Sequence, residues 1–188
     1  MIKKFFGAII FLAAVLFTQS VLAAPHLTYR VHVQDYGWLN PVSDGAVAGT
    51  VGRNKRLEAI VIDFPDGIEY NAHVQNIGWQ GWCYSGDVAG TVGDGLRMEA
   101  IRIRLTGSMA DRYDVYYRAH VQNIGWMDWV SNGQVAGTEG QGLRLEALRI
   151  EIVDKNSSRH RYGRDRYGND RYEQRRHRHR GYDYDDYT

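Results

Sequence analysis

The chain has 188 residues, with 23 basic and 22 acidic side chains, a net charge of +1 and a single cysteine. That length is one ordinary domain with extensions, and an acidic globular part beside a basic tail argues against a nucleic-acid-binding core. One cysteine excludes an internal disulfide framework, so the fold must rest on its apolar core.

Residues 1–23 read as a secretion signal. Lys3 and Lys4 form a short positive start, Phe5–Phe17 is an apolar run, and Val21-Leu22-Ala23 supplies small residues for a signal peptidase. Cleavage is expected after Ala23. The apolar run is too short to span a bilayer and no stop-transfer segment follows, so no lasting membrane insertion is expected. No cysteine stands near the boundary to carry a lipid. What remains divides by charge. Residues 24–155 carry twelve basic and sixteen acidic side chains, whereas residues 156–188 carry nine basic and six acidic ones.

Residues 24–155 contain one unit three times. Tyr29–Phe64, Tyr70–Leu105 and Tyr117–Ile152 align without a gap, at offsets of 41 and 47 residues. "AHVQNIGW" recurs letter for letter at Ala72–Trp79 and Ala119–Trp126, with "VHVQDYGW" at Val31–Trp38. The units differ in spacing only through their connectors, Pro65–Glu69 and Thr106–Tyr116.

Each unit reads as β-structure. Its head alternates, with Tyr70, Ala72 and Val74 on one face and Asn71, His73 and Gln75 on the other. Its end alternates too. Glu99, Ile101, Ile103 and Leu105 are assigned to one face and Arg102 and Arg104 to the opposite one. A Gly-rich middle with turn signals lies between, and no stretch carries a capped helical period. The end strand of one unit is expected to form a hairpin with the head strand of the next. Asn54 stands where the other copies have Gly95 and Gly142, the exchange that a left-handed turn position permits.

Thirty-six residues cannot bury a core alone. Three short β-units can close about a threefold axis and share one. The expected fold is therefore all-β, a single pseudo-threefold domain of the β-trefoil or β-prism kind. Closure also protects sheet edges.

From Asn156 the composition shifts to Arg, Tyr, His, Asp and Gly. "RYGRD", "RYGND" and "RYEQR" run with a five-residue period over Arg161–Arg175, before the basic cluster Arg175–Arg180 and an acidic end. A segment so poor in aliphatic residues is expected to be disordered. It reads as a solubilising tail, or as a means of attachment to an anionic surface polymer. His160, His177 and His179 are weak metal candidates. The signal segment argues against nucleic acid as the tail's partner.

The pattern "AHVQNIGWQGW…VAGTVGDGLRMEAIRIRL" resembles the clostridial hydrophobic repeat with a signature tryptophan, the ChW repeat. The resemblance covers Tyr29–Ile152, with GW, VAGT and LEAI at fixed spacing. It implies an extracellular, non-catalytic module of Firmicute-type bacteria that binds polysaccharide or protein at the cell surface. Unit one departs from the pattern, with Pro41 in place of Trp82 and Trp129 and "RNKR" in place of "DGLR".

The side chains that bear chemistry divide accordingly. Trp38, Trp79 and Trp126 occur in every unit and are assigned to the core, since all three units face the same packing problem. Trp82 and Trp129 are missing from unit one and are the first candidates for ligand contact. His73, Gln75, His120 and Gln122 are further candidates, as a polar groove for sugar hydroxyls. For each His, and for His32 with Gln34, a hydrogen bond to a neighbouring turn is the plainer reading, and a three-His metal site ranks last. Glu58, Glu99 and Glu146, placed on the apolar face, need partners, and Arg56, Arg97 and Arg144 stand two residues away. Three equivalent carboxylates lack the asymmetry of glycosidase chemistry. No nucleophile motif, phosphate loop or zinc signature is present, so no enzyme activity, cofactor or metal is expected. Cys83 aligns with Val130 and reads as a small hydrophobe. The expected function is a secreted binding module for polysaccharide or cell-surface glycan, or else an extracellular protein-interaction or structural surface protein. Its expected place is extracellular or at the cell surface, or periplasmic if the source has an outer membrane.

Overall fold

The computed structural model describes residues 25–158. The signal segment expected over residues 1–23 lies outside them, as does the tail beyond Ser158.

Each unit contributes five strands. Unit one holds β1 (Thr28–Val33), β2 (Gly37–Trp38), β3 (Val42–Ser43), β4 (Ala48–Gly49) and β5 (Leu57–Asp63). Unit two holds β6 (Ile68–Val74), β7 (Gly78–Trp79), β8 (Cys83–Tyr84), β9 (Val88–Gly90) and β10 (Met98–Leu105). A short helix, α1 (Gly107–Arg112), precedes unit three, which holds β11 (Tyr113–Val121), β12 (Gly125–Trp126), β13 (Val130–Ser131), β14 (Ala136–Gly137) and β15 (Leu145–Asp154). A last turn, α2 (Lys155–Ser158), ends the described chain.

The head and end strands of one unit pair with each other, β1 with β5, β6 with β10 and β11 with β15. The expected hairpin between consecutive units is therefore wrong. The connectors instead carry the chain from one sheet to the next, and the second contains α1, which the sequence had not indicated. The short fourth strand leaves its own unit. β9 pairs with β5, β14 with β10 and β4 with β15, so unit two completes the sheet of unit one, unit three that of unit two, and unit one that of unit three. The result is three separate five-stranded sheets closed in a ring by mutual exchange. This is the all-β, pseudo-threefold domain expected from the repeats, in a prism-like form.

One apolar cluster fills the middle, drawn from all three units. Tyr29, Tyr70 and Tyr117 are its largest fully buried side chains. Each hydroxyl donates to a carbonyl in its own unit's turn, Ala46, Asp87 and Gln134 respectively. Each also accepts a backbone N–H from the preceding unit, of Ile150, Ile62 and Ile103, at 3.1 Å. A buried phenol needs such partners, and here they join one unit to the next. Burial pushes the hydroxyls of Tyr29 and Tyr117 up to about 12 and that of Tyr70 higher still, so all remain protonated donors.

The end strands carry a β-bulge. His32 faces Ala59 while Val33 faces Leu57, which leaves Glu58 as the extra residue, and Glu99 and Glu146 are the same. The bulge corrects the sequence reading. One inserted residue resets the alternation, so Met98 and Ile101 both face the core while Glu99 turns to the outer face. The exchanged strand crosses at this point. The N–H groups of Thr50, Thr91 and Thr138 donate to the carbonyls of Glu146, Glu58 and Glu99 at 2.9, 2.8 and 2.9 Å. Gly49, Gly90 and Gly137 lie against the same carbonyls, with φ of 116, 102 and 117°, and an added Cβ would overlap the bulge backbone. Asn54 takes φ 56°, beside 69° for Gly95 and 70° for Gly142, as the Asn-for-Gly exchange implied.

Two stability outcomes follow from this closure. Tyr117→Phe leaves the Ile103 N–H and the Gln134 carbonyl unpaired and should cost about 1–3 kcal/mol in urea unfolding. Gly90→Ala must displace the Glu58 backbone, whereas at Gly93, with φ 88°, nothing lies within 4 Å of an added Cβ. Gly90→Ala should therefore lower the urea midpoint more than Gly93→Ala does.

Candidate functional site

The outer face of each sheet is built from the residues that alternate away from the core. The His of each head strand stands there beside the bulged Glu. His32 Nδ1 lies 2.9 Å from Glu58 Oε2, His73 Nδ1 3.3 Å from Glu99 Oε2 and His120 Nδ1 3.2 Å from Glu146 Oε2. The other carboxylate oxygen accepts from Nε of Arg56, Arg97 or Arg144 at 2.9, 2.9 and 3.0 Å. The Arg–Glu pairing is as expected. The His partner corrects the expectation of a turn, because the bulge turns each carboxylate to the outer face on which the His stands. The three His belong to the outer faces of three different sheets and do not converge. Among the described residues, no group of three or more His, Cys, Asp or Glu is placed to hold a metal ion.

Glu58, Glu99 and Glu146 are buried, each only 4–5 % exposed. A buried carboxylate held by a guanidinium on one side and an imidazole on the other orients its neighbours and fixes the bulge. His73 and His120 are half-buried in this arrangement, each beside its Glu. Gln75 and Gln122 follow at the strand ends, where their N–H groups donate to the carbonyls of Arg97 and Arg144 at 3.0 Å. Cys83 packs at the core's edge, and burial pushes its thiol up. It stands as the small hydrophobe expected.

The recurrent Trp is not in the core. Trp38, Trp79 and Trp126 sit half-buried on the outer face, edge-on to their His with ring centroids 5.4 Å apart. The return strand pairs Trp38 with His32, Trp79 with His73 and Trp126 with His120, on the face opposite the Tyr–Val stripe. Tyr29, Tyr70 and Tyr117 already fill the core position that the indoles were assigned.

Trp82 and Trp129 lie half-buried on the same outer faces, on different sheets. Arginines cover the indoles. Arg102 lies 3.9 Å from the ring of Trp79 and Arg104 4.1 Å from that of Trp82. Arg118 lies 4.9 Å from both Trp126 and Trp129, with Arg149 at 5.3 Å from Trp126. Unit one has only Arg30 over Trp38, at 5.1 Å, and Pro41 in the second position. Each such contact is worth about 0.5–1 kcal/mol at an exposed site and holds the ring in a fixed attitude. In unit two a carboxylate joins from the next unit. Glu139 accepts from Trp79 Nε1 and from Arg102 Nη2, both at 3.2 Å. The arginines and Glu139 were missed in the sequence, although Arg102 and Arg104 had been placed correctly on one face. Glu139 stands where the other copies have Val51 and Val92, and that mismatch was its only signal.

The geometry defines a closed, pseudo-threefold β-repeat domain with aromatic–arginine clusters on two of its three outer faces. Comparison with protein families matches Clostridial hydrophobic W, ChW, over residues 32–64, 73–107 and 120–154, more than half of the chain. The protein belongs to the ChW family, with three tandem repeats. No curated protein and no solved structure matches it.

His120 makes the scaffold testable by pH. Burial holds its imidazole below the ordinary 6.5, with Glu146 pulling the other way. A depressed value in the folded chain means that the unfolded chain takes up the proton first. The contribution of neutral His120 is therefore whole above 6.5 and is lost as the pH falls below it. Unfolding free energy measured between neutral pH and pH about 5 should fall less steeply in His120→Asn than in the unmodified chain.

Proposed function

We propose that the protein is a secreted, non-catalytic binding module that recognises polysaccharide or cell-surface glycan through the outer faces of units two and three. The observation that carries this reading is the placement of Trp82 and Trp129, half-exposed, each oriented by an arginine, and replaced by Pro41 in unit one. An indole held in a fixed attitude offers a flat apolar surface to the C–H face of a sugar ring, with little left to order on binding. The adjacent guanidiniums offer donors to the ring hydroxyls.

Secretion is supported by the amino-terminal pattern of Lys3, Lys4, Phe5–Phe17 and Val21-Leu22-Ala23. The basic cluster Arg175–Arg180 suits a supporting contact with an anionic wall polymer. A non-catalytic role is supported by the burial of the three Glu, each engaged by His and Arg as an orienting element.

The experiment is retention on isolated cell wall and on purified polysaccharides. The full chain should be retained, and the Trp82→Ala, Trp129→Ala double variant should lose at least about tenfold in affinity while unfolding in urea as before. Full retention by the folded double variant would remove the assignment. Retention that survives enzymatic removal of the glycan would point to a protein partner.

A further inference from the structure

The three outer faces are unequal, and the inequality singles out unit two. The following inference rests on the reading of these faces as glycan-binding. Unit two carries three aromatic side chains in a row. Trp79 pairs with His73 at one end of β6, and Tyr84 pairs with Glu69 at the other, with Trp82 in the segment between. The equivalents of Tyr84 are Ser43 and Ser131, so neither other unit has the third ring. Tyr84 is 62 % exposed, the most exposed large hydrophobic side chain among the described residues. Glu69 to His73 spans four residues of strand, or about 13 Å, which suits several linked sugar rings rather than one.

The rim of this row alternates in charge. Arg102 is paired with Glu139 at 3.2 Å, and Arg104 Nε donates to Glu69 Oε2 at 2.7 Å. Both guanidiniums are thus neutralised, while acceptor and donor atoms remain side by side at the surface. Glu139 is 47 % and Arg104 45 % exposed. A row of apolar faces bordered by neutral donor–acceptor pairs fits a chain rich in hydroxyl groups and without charge. A uronate or phosphate polymer would meet the carboxylates of Glu69 and Glu139, whose guanidinium neighbours among the described residues, Arg104 and Arg102, are already engaged by them.

We infer that unit two is the principal glycan subsite, that it takes an uncharged, hydroxyl-rich polysaccharide along Trp79, Trp82 and Tyr84, and that Glu139, lent by unit three, sets this specificity. The subsite is composite. Because β14 is exchanged onto the sheet of unit two, the residue after Thr138 reaches over the neighbouring face. In the other two exchanges that residue is Val51 or Val92, which supplies no acceptor.

Affinity electrophoresis of the full chain tests this, with a panel of soluble neutral glucans and mannans and with polygalacturonate. A neutral polysaccharide should retard the unmodified chain through unit two, whereas any retardation by polygalacturonate should come from the basic cluster Arg175–Arg180 and be unchanged in Trp82→Ala. Trp82→Ala and Tyr84→Ala should each weaken retardation by about tenfold, and Trp129→Ala should change it far less. Glu139→Val, which installs the residue of the other units, should weaken binding of the neutral polymer and raise retardation by polygalacturonate above that of the unmodified chain, by freeing Arg102. Glu139→Gln keeps an acceptor and should retain more of the neutral binding than Glu139→Val does. An equal loss in Trp129→Ala, a loss of polygalacturonate retardation in Trp82→Ala, or no effect of Glu139→Val in a chain with an unchanged urea midpoint would overturn the inference. Those results leave the general glycan reading standing. Undiminished binding by the Trp82→Ala, Trp129→Ala double variant, or no retardation by any polymer, would remove both.

Discussion

At the bulged carbonyls of Glu58, Glu99 and Glu146, an N–H group from the next unit's exchanged strand meets the end strand at 2.8–2.9 Å. Two demands converge there. The backbone must stay open to the incoming strand, which is why Gly49, Gly90 and Gly137 have no side chain to overlap it. The side chain of the same residue lies under cover and needs polar partners, which a His and an Arg supply on either side of each carboxylate. Removing one partner would strand a buried charge at a cost of several kcal/mol. The Tyr29, Tyr70 and Tyr117 hydroxyls repeat the same logic inside the core, each tying its own turn to the previous unit's end strand. Neither device serves a unit in isolation. The Thr N–H and Ile N–H bonds cross from unit to unit and form only when the ring closes, whereas the His–Glu–Arg contacts lie within one unit.

The repetition explains what was legible in the sequence. Copies that align without a gap imply equivalent units. Alternation at the head strand separated Tyr70, Ala72 and Val74 from Asn71 and His73 correctly, because a strand without irregularity keeps a period of two. The end strand misled for a local reason. A bulge at Glu99 inserts one residue, and a period-two reading carried through it assigns the carboxylate to the wrong face. The pairing of strands was illegible for a different reason. A short connector is compatible with a hairpin or with a corner between sheets, and the choice depends on β9, β14 and β4, which are two or three residues long and carry no periodicity.

The error over the recurrent Trp has the most general physical content. A residue present in every copy was assigned to the core because a shared packing problem needs a shared solution. The problem was shared, but it lay on the outer face, where each indole meets its His edge-on and so backs the buried carboxylate pair. Large aromatic rings fill a second layer outside a small sheet as readily as a core within it. Presence in all copies therefore marks a structural role without locating it. Trp82 was assigned to the surface by the opposite argument, from its loss to Pro41, and its outer-face position agrees with that argument.

Symmetry in a ring of three leaves function to the positions that break it. A face assembled wholly from one unit could be altered by changing that unit alone. Here each face is completed by the neighbour's exchanged strand, so the residue after the Thr repeated in each unit can alter a face without disturbing the strands beneath it. Glu139 occupies that place over Trp79 and Arg102. Its own backbone follows Thr138, whose N–H is committed to the closure bond, so the side chain is carried by the most constrained point of the exchange. The contact that closes the ring is thus also the one that delivers a carboxylate to the face of another unit. A ring built from equivalent parts can in this way present three inequivalent surfaces while its core remains threefold.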